Sequence, residues 1–457
     1  MLINSIRLNT LRSNILLLSL IAIGLFIGLS IPALADTSSK RFLPIAHWQS
    51  NNQTPVYFVP INQNLPFIDI RLAFNAGSAR DNAQQAGLAQ ITANMLAEGA
   101  GKFDTDTIAL TFENNGAEFD VDTNRDMTLL SLRTLTKPAL LAPVLNMFST
   151  IVSQPNFPAS NFDRIKTQTL AAIAHEQQDP NTLAQQLFYQ LLFFNHPYGH
   201  NVLGTNDSIN QITPDDLKQF HRHYYSARNA TLVIVGAIER AQAEQIAEQI
   251  TQQLPVGSIA PALPEAQPVK QAQTKTQLVP VKQTALLLGQ LGIKRSIPEY
   301  FPLIVGNHIL GGSGLNSRLN HAIREQRGLS YSVYSYFLPL LARGPFIVSL
   351  ATRNQKADQA LAITRETLHD FINKGPTNNE LIAAQKNLIG SFPLKLDTNR
   401  AIADNLLVLA FYQLPLDYFD TYRKHINDVT VTQIRQALQH YLQPERMLTV
   451  KIAPATV

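Results

Sequence analysis

An α+β fold is what this sequence predicts: two homologous domains, each an antiparallel sheet packed with helices, arranged as a clamshell. Three observations carry the prediction. The chain repeats itself, β-patterned and helix-patterned segments follow in the same order in both copies, and the composition suits a large core. At 45% hydrophobic and 15% charged residues over 457 positions, a disordered or coiled-coil chain is excluded and more than one domain is expected.

The repeat is clearest near the end of each copy. Ile209-Asn210-Gln211-Ile212-Thr213 and Ile426-Asn427-Asp428-Val429-Thr430 lie 217 positions apart. From there the copies align without a gap through Gln219 and Gln436, His223-Tyr224 and His440-Tyr441, and Val233 and Val450. This period is far longer than that of a solenoid. Thr213 and Thr430 are helix N-caps, each opening an amphipathic helix that ends at the His-Tyr pair and turns into a β-branched strand.

Upstream, the first copy reads as an alternating strand over Ile68–Ala76 and a helix over Ala86–Leu96. Strands follow at Ala117–Val121 and Met127–Thr134, then helices at Leu140–Val152, Ser160–Gln177 and Asn181–Phe194. The second reads as a strand over Ala285–Gly292, a helix over Pro302–Leu310, and strands at Leu329–Phe337 and Pro345–Thr352. Its helices are Lys356–Asn373, Asn378–Ile389 and Asn399–Tyr412. A Pro-, Gln- and Ala-rich stretch without period separates them, which places a first domain at 41–254, a linker at 255–274 and a second domain at 275–457.

Residues 1–35 read as a signal peptide rather than as part of the fold. Arg7 and Arg12 precede an apolar run, Ile15 to Ile31, followed by Pro32 and the small-x-small triplet Ala33-Leu34-Ala35. Export to the periplasm is the expectation, an uncleaved membrane anchor the alternative, and no other stretch is apolar for long enough to span a bilayer. A formal charge of only +4 gives no electrostatic case for nucleic acid. The absence of cysteine excludes disulfides, thiol nucleophiles and thiolate metal sites.

Three stretches resemble the insulinase/pitrilysin-type zinc peptidases, including the two-domain processing peptidases. They are Asn75-Ala76-Gly77-Ser78-Ala79-Arg80-Asp81 with Gly87-Leu88-Ala89, then His196-Pro197-Tyr198-Gly199 with Leu203-Gly204, and Leu310-Gly311-Gly312 continuing through Ser317-Arg318-Leu319 and Ile323-Arg324-Glu325 to Arg327–Ser335. In active members Gly-Leu-Ala is followed by H-x-x-E-H. Two imidazoles at i and i+4 then share a helix face and clasp zinc, and the glutamate polarises the attacking water. Here those positions hold Gln90, Ala93 and Asn94, and the downstream paired glutamates are Ala171 and Ala172. Neutral amides are poor zinc ligands and a methyl group takes no proton, so no metal is expected in this chain and no catalytic residue is assigned.

Other candidates are weaker. His175 and Glu176 lie one turn beyond the alanines but lack a second arm, and His221 and His223 point apart on a helix. His223 and His440, equivalent in the repeat, suit packing or capping, and His196-Pro197-Tyr198-Gly199 suits a structural turn. Gly311–Gly314 lacks the Lys-Ser/Thr of a phosphate loop and reads as a connector. The resemblance implies that Arg324 and Tyr331 hold substrate backbone opposite a zinc. With half of a composite site lost and half kept, the resemblance implies a zinc-less subunit of an exported heteromeric metallopeptidase. Zinc is expected only in a homologous partner, with peptides as substrates. The alternative is a peptide-binding or scaffold protein of the cell envelope.

Overall fold

A computed structural model describes residues 41–61 and 65–455, so the expected signal segment lies outside the described residues. The first half holds β1 (Ala46–Gln49), β2 (Pro55–Pro60), β3 (Phe67–Phe74), β4 (Glu118–Thr123), β5 (Thr128–Leu135) and β6 (Ala230–Gly236). Its helices are α1 (Leu88–Met95), α2 (Thr105–Asn114), α3 (Pro138–Ser153), α4 (Ala159–Glu176), α5 (Pro180–Leu192), α6 (Asn206–Gln211), α7 (Pro214–Tyr224) and α8 (Arg240–Thr251). The second half holds β7 (Gln273–Val279), β8 (Gln283–Leu291), β9 (Ser330–Phe337), β10 (Pro345–Arg353) and β11 (Leu448–Pro454). With them come α9 (Tyr300–Asn307), α10 (Ala357–Lys374), α11 (Asn378–Ser391), α12 (Asn399–Phe411), α13 (Tyr418–Asn427) and α14 (Val431–Tyr441).

The duplication read from the sequence is a duplication of topology. The first sheet runs β1-β2-β6-β3-β5-β4 and the second β7-β11-β8-β10-β9, so five strands follow the same order in both. Each sheet is antiparallel except for one pair, β2 with β6 and β11 with β7, which run parallel. Those first strands escaped the sequence reading or were only grazed by it: Pro55–Pro60 is a short apolar run between prolines, and β7 begins at Gln273, inside the predicted linker. Thr213 and Thr430 cap α7 and α14 with a side-chain oxygen, as their spacing requires.

Each sheet buries both faces, and the covering helices are exchanged. Ile68, Ile70, Leu72, Leu130, Leu132 and Ile234 face helices of their own half. On the opposite face Tyr57, Val59, Ala73, Val233 and Val235 join a core with Ala403, Leu406 and Leu407 of α12, which belongs to the other half. The second sheet reciprocates: Ala285, Leu287, Ile347, Val450 and Ile452 pack on Ala184, Phe188 and Leu192 of α5. Gly289 makes the second exchange possible, because a Cβ there would lie 2.9 Å from Phe188 Cζ and 2.1 Å from the Phe346 carbonyl oxygen.

The linker is strapped down rather than free. The Arg80 guanidinium donates to the Pro261 carbonyl at 2.8 Å, His196 Nε2 lies 2.9 Å from the Pro264 oxygen, and Ala266 is buried. His196 Nδ1 also accepts from the Tyr198 backbone N–H at 3.1 Å, so the expected structural turn is held by that imidazole. His223 and His440 are exposed on the last turns of α7 and α14, where each ring packs edge-on against the tyrosine that follows it, Tyr224 at 4.5 Å and Tyr441 at 4.8 Å between centres. Period 3.6 turns His221 inward instead, with Nε2 2.9 Å from the Val152 carbonyl oxygen.

Burial pushes the His221 pKa from 6.5 down to about 4. The unfolded chain therefore takes up a proton that the folded chain refuses. The stability contributed by neutral His221 is complete above pH 6.5 and is lost as pH falls towards 4, amounting to about 2–3 kcal/mol by pH 4.5. Urea unfolding at pH 7 and 4.5 checks this: His221→Gln, which keeps a donor towards Val152, should lose that much less stability between the two pH values. An equal loss in both proteins contradicts it.

Candidate functional site

The positions that would carry a metal lie on α1. Gly87 precedes it with φ of 95°, and a Cβ there would stand 2.7 Å from the Leu203 carbonyl oxygen; at Gly204 a Cβ would stand 2.2 Å from that of Ala86. The two glycine-bearing motifs thus interlock backbone against backbone, which is why neither tolerates a side chain. The Asp81 carboxylate receives the first turn, accepting from the Gly87 N–H at 2.8 Å and the Ala89 N–H at 2.9 Å. Its complete burial pushes its pKa up to about 8 against the opposing pull of those backbone donors.

On the helix so placed, Gln90 and Asn94 do face each other one turn apart. The Gln90 amide donates to Asn94 Oδ1 at 2.9 Å, so the two side chains satisfy one another across the space between two ligand positions. Ala93 is buried. On α4, which packs against α1, Ala171 and Ala172 are exposed methyl groups. The shifted alternative does not assemble: Glu176 accepts from Gln186 at 2.6 Å, and His175 is exposed. Among the described residues no group of three His, Asp or Glu side chains is placed to hold a metal ion. This donor set does not fit zinc.

Alongside α1 lies β4, the edge strand of the first sheet. Its alternation exposes Glu118, Asp120 and Asp122 while Phe119 and Val121 turn half inward. This acidic row was legible as E-x-D-x-D in the sequence but was not singled out, because a charge alternation reads as any solvated strand face until the strand is known to be an edge.

The second pair of candidates is brought together. Arg324 sits in a wide helical turn, His321–Glu325, and Tyr331 begins the edge strand β9. The Arg324 guanidinium carbon lies 4.8 Å from the centre of the Tyr331 ring, a cation–π contact. Gly328, at φ of 56° and with open space around it, allows the reversal between them. The pairing of β9 with β10 is irregular between Ser330 and Val333. The Ser330 hydroxyl stitches this bulge, its oxygen lying 2.7 Å from the carbonyl oxygens of both Ser332 and Ala351, between which its one proton is shared. The bulge turns Tyr331 outward, 84% exposed. Tyr334 and Tyr336 stack along the same strand with ring centres 6.0 Å apart. The edges β4 and β9 hold equivalent places in the two sheets, one lined by carboxylates and the other by tyrosines.

One buried group joins the halves, and sequence reasoning missed it. Asp126 Oδ2 accepts from the Leu341 N–H and from the Tyr412 hydroxyl, each at 2.9 Å, while Oδ1 accepts from the Tyr198 hydroxyl. Tyr198 in turn accepts from the Ala342 N–H at 3.0 Å. Burial raises the pKa of Asp126, opposed by those three donors. Arg125 beside it lies flat over the Tyr189 ring at 3.6 Å. No local pattern announces a carboxylate whose partners are seventy to nearly three hundred positions away.

Comparisons with known proteins agree with this geometry. Residues 58–206 match the family described as Insulinase (Peptidase family M16), and residues 211–388 match Peptidase M16 inactive domain. The chain is 27% identical over 428 residues to the Non-peptidase homolog YmxG of Helicobacter pylori, covering 92% of this chain and 94% of that protein. It is 25% identical over 357 residues to the Mitochondrial-processing peptidase subunit beta of Lentinula edodes, covering 73% of each. A crystal structure of a peptidase M16 inactive domain from Pseudomonas fluorescens superposes with a TM-score of 0.87 at 36% identity, over 91% of this chain and 99% of that one. With both halves matched and more than a third of positions shared along the length of a solved relative, the chain belongs to the insulinase peptidase family M16.

Proposed function

We propose that this chain is the zinc-less subunit of an exported heteromeric metallopeptidase. It supplies chamber wall and a substrate clamp, while a homologous partner holds the metal. One observation carries the reading: Arg324 and Tyr331 stand together at an edge of the second sheet, and neither side chain has an ion-pair or hydrogen-bond partner among the described residues. An exposed tyrosine on a bulge and an unpaired arginine contribute nothing to the core, whereas both donate hydrogen bonds to peptide carbonyls. The unpaired edge of β4 supports the same reading. An extended peptide can add to it as a further strand, and its row of carboxylates favours basic segments.

Mixing this chain with a homologous subunit that carries an intact H-x-x-E-H should produce peptide hydrolysis abolished by a zinc chelator and shown by neither chain alone. In that pair Tyr331→Phe should lower kcat/KM by roughly tenfold to a hundredfold, the loss of one donor to a developing oxyanion. Unchanged turnover on mixing refutes the subunit role. Activity on mixing that is indifferent to Tyr331→Phe refutes the clamp and leaves the chain a scaffold.

A further inference from the structure

A cavity of about 450 Å³ lies between the linker and the end of the second sheet at which β8 closes and β10 and β11 begin. Its polar side is basic. Lys294, Arg343 and Arg446 line it, with His440 beside them, against a single carboxylate, Glu265, which pairs with Lys294. Arg343 is half-buried and its Nε donates to the Gly292 carbonyl at 3.0 Å, which fixes the guanidinium in place without neutralising it. Arg446 has neither an ion pair nor a side-chain hydrogen bond among the described residues, and it projects from the turn that precedes β11. The floor is rigid: Gln290 donates to the Tyr441 carbonyl at 2.8 Å and accepts from the Gln443 N–H at 2.7 Å. The opposite side is apolar, formed by Ile293, Ile297 and the linker residue Val269.

Arg343, half-buried, and Arg446, exposed at the rim, line the same concave site without an acid partner, and the walls of such a site focus their field on an anion bound there. We infer that this cavity binds a small ligand carrying an oxyanion, carboxylate or phosphate monoester, on an apolar body. The oxyanion lies between Arg343 and Arg446, and the apolar body lies against Ile293 and Val269. Because Glu265, Pro268 and Val269 of the linker form one wall, an occupant bridges the linker to the second sheet and stiffens the strap between the halves. This is independent of the reading of Arg324 and Tyr331: Arg343 stands just before the first residue of β10, whereas Ser330, next to Tyr331, pairs with Thr352 at the other end of that strand.

Calorimetric titration of the full mature chain tests it with four probes: N-acetyl-leucyl-phenylalanine, the same dipeptide as its C-terminal amide, hexyl phosphate, and inorganic phosphate. At least one of the two amphiphilic anions should bind, and the tighter of them identifies the source of the oxyanion. The amide should bind about tenfold more weakly than the free acid if the dipeptide is that ligand. Arg446→Glu, at an exposed position that leaves the core untouched, should weaken binding by about tenfold or more, and His440→Gln should weaken it less. The bound anion should also slow proteolytic cleavage within residues 255–272. The inference is overturned if neither amphiphile binds at about 10 mM, if Arg446→Glu leaves affinity unchanged, or if inorganic phosphate binds as tightly as hexyl phosphate.

Discussion

Asp126→Ala should destabilise the protein by roughly 3–5 kcal/mol, among the largest losses available to a single polar substitution. The change removes three charge-assisted hydrogen bonds and strands the Tyr198 hydroxyl, the Tyr412 hydroxyl and the Leu341 N–H away from water. Asp126→Asn separates the contributions. An amide oxygen in place of Oδ1 still accepts from Tyr198, and the Tyr412 hydroxyl can rotate to accept from the new amide N–H. The Leu341 N–H has no such freedom and faces another donor. The asparagine variant should therefore lose about 1–3 kcal/mol, less than the alanine variant. Urea unfolding of the three proteins checks the order, and equal stability of Asp126→Ala and the parent contradicts the role of this group as the tie between halves.

The second large effect concerns the halves themselves. Residues 41–272 expressed alone should fail to fold cooperatively, although they contain a complete sheet and eight helices. One face of that sheet, with Tyr57, Val59, Val233 and Val235, is covered by α12 of the other half. Without it an apolar face of several hundred Å² meets water, a loss of roughly 10 kcal/mol at about 25 cal/mol per Å², comparable with the entire stability of a domain. The fragment 273–457 lacks α5 and should fail for the same reason, whereas co-expression of the two should restore a soluble complex with a single unfolding transition. A cooperative transition in either fragment alone, seen by near-ultraviolet circular dichroism, contradicts the exchange. Within the intact chain, Phe188→Ala tests the same contact on a smaller scale.

Much of this architecture is legible along the chain because it rests on local regularities. The repeat between Ile209 and Ile426 survives as identical caps and strand ends, and these depend on neighbours three or four residues away. The parallel pairs β2 with β6 and β7 with β11 are not legible, since their partners lie more than 170 positions apart and nothing in either strand specifies direction. The candidate site divides in the same way. Gln90, Ala93 and Asn94 are found by their spacing on one helix, and Arg324 and Tyr331 by the motif around them. The acidic edge Glu118, Asp120 and Asp122 becomes meaningful only when the sheet order leaves β4 unpaired on one side.

By itself the sequence determined which donor atoms stand at the ligand spacing, because carboxamides and a methyl group at fixed positions along one helix are properties of the residues themselves. Tertiary structure alone decided that α5 and α12 change places and that Asp126 meets Tyr412, and it alone set the half-buried Arg343 and the unpaired Arg446 around one cavity. Side-chain type is a property of each residue, whereas burial and partnership belong to pairs far apart in the chain, whose meeting is settled by how two amphipathic layers share their apolar faces.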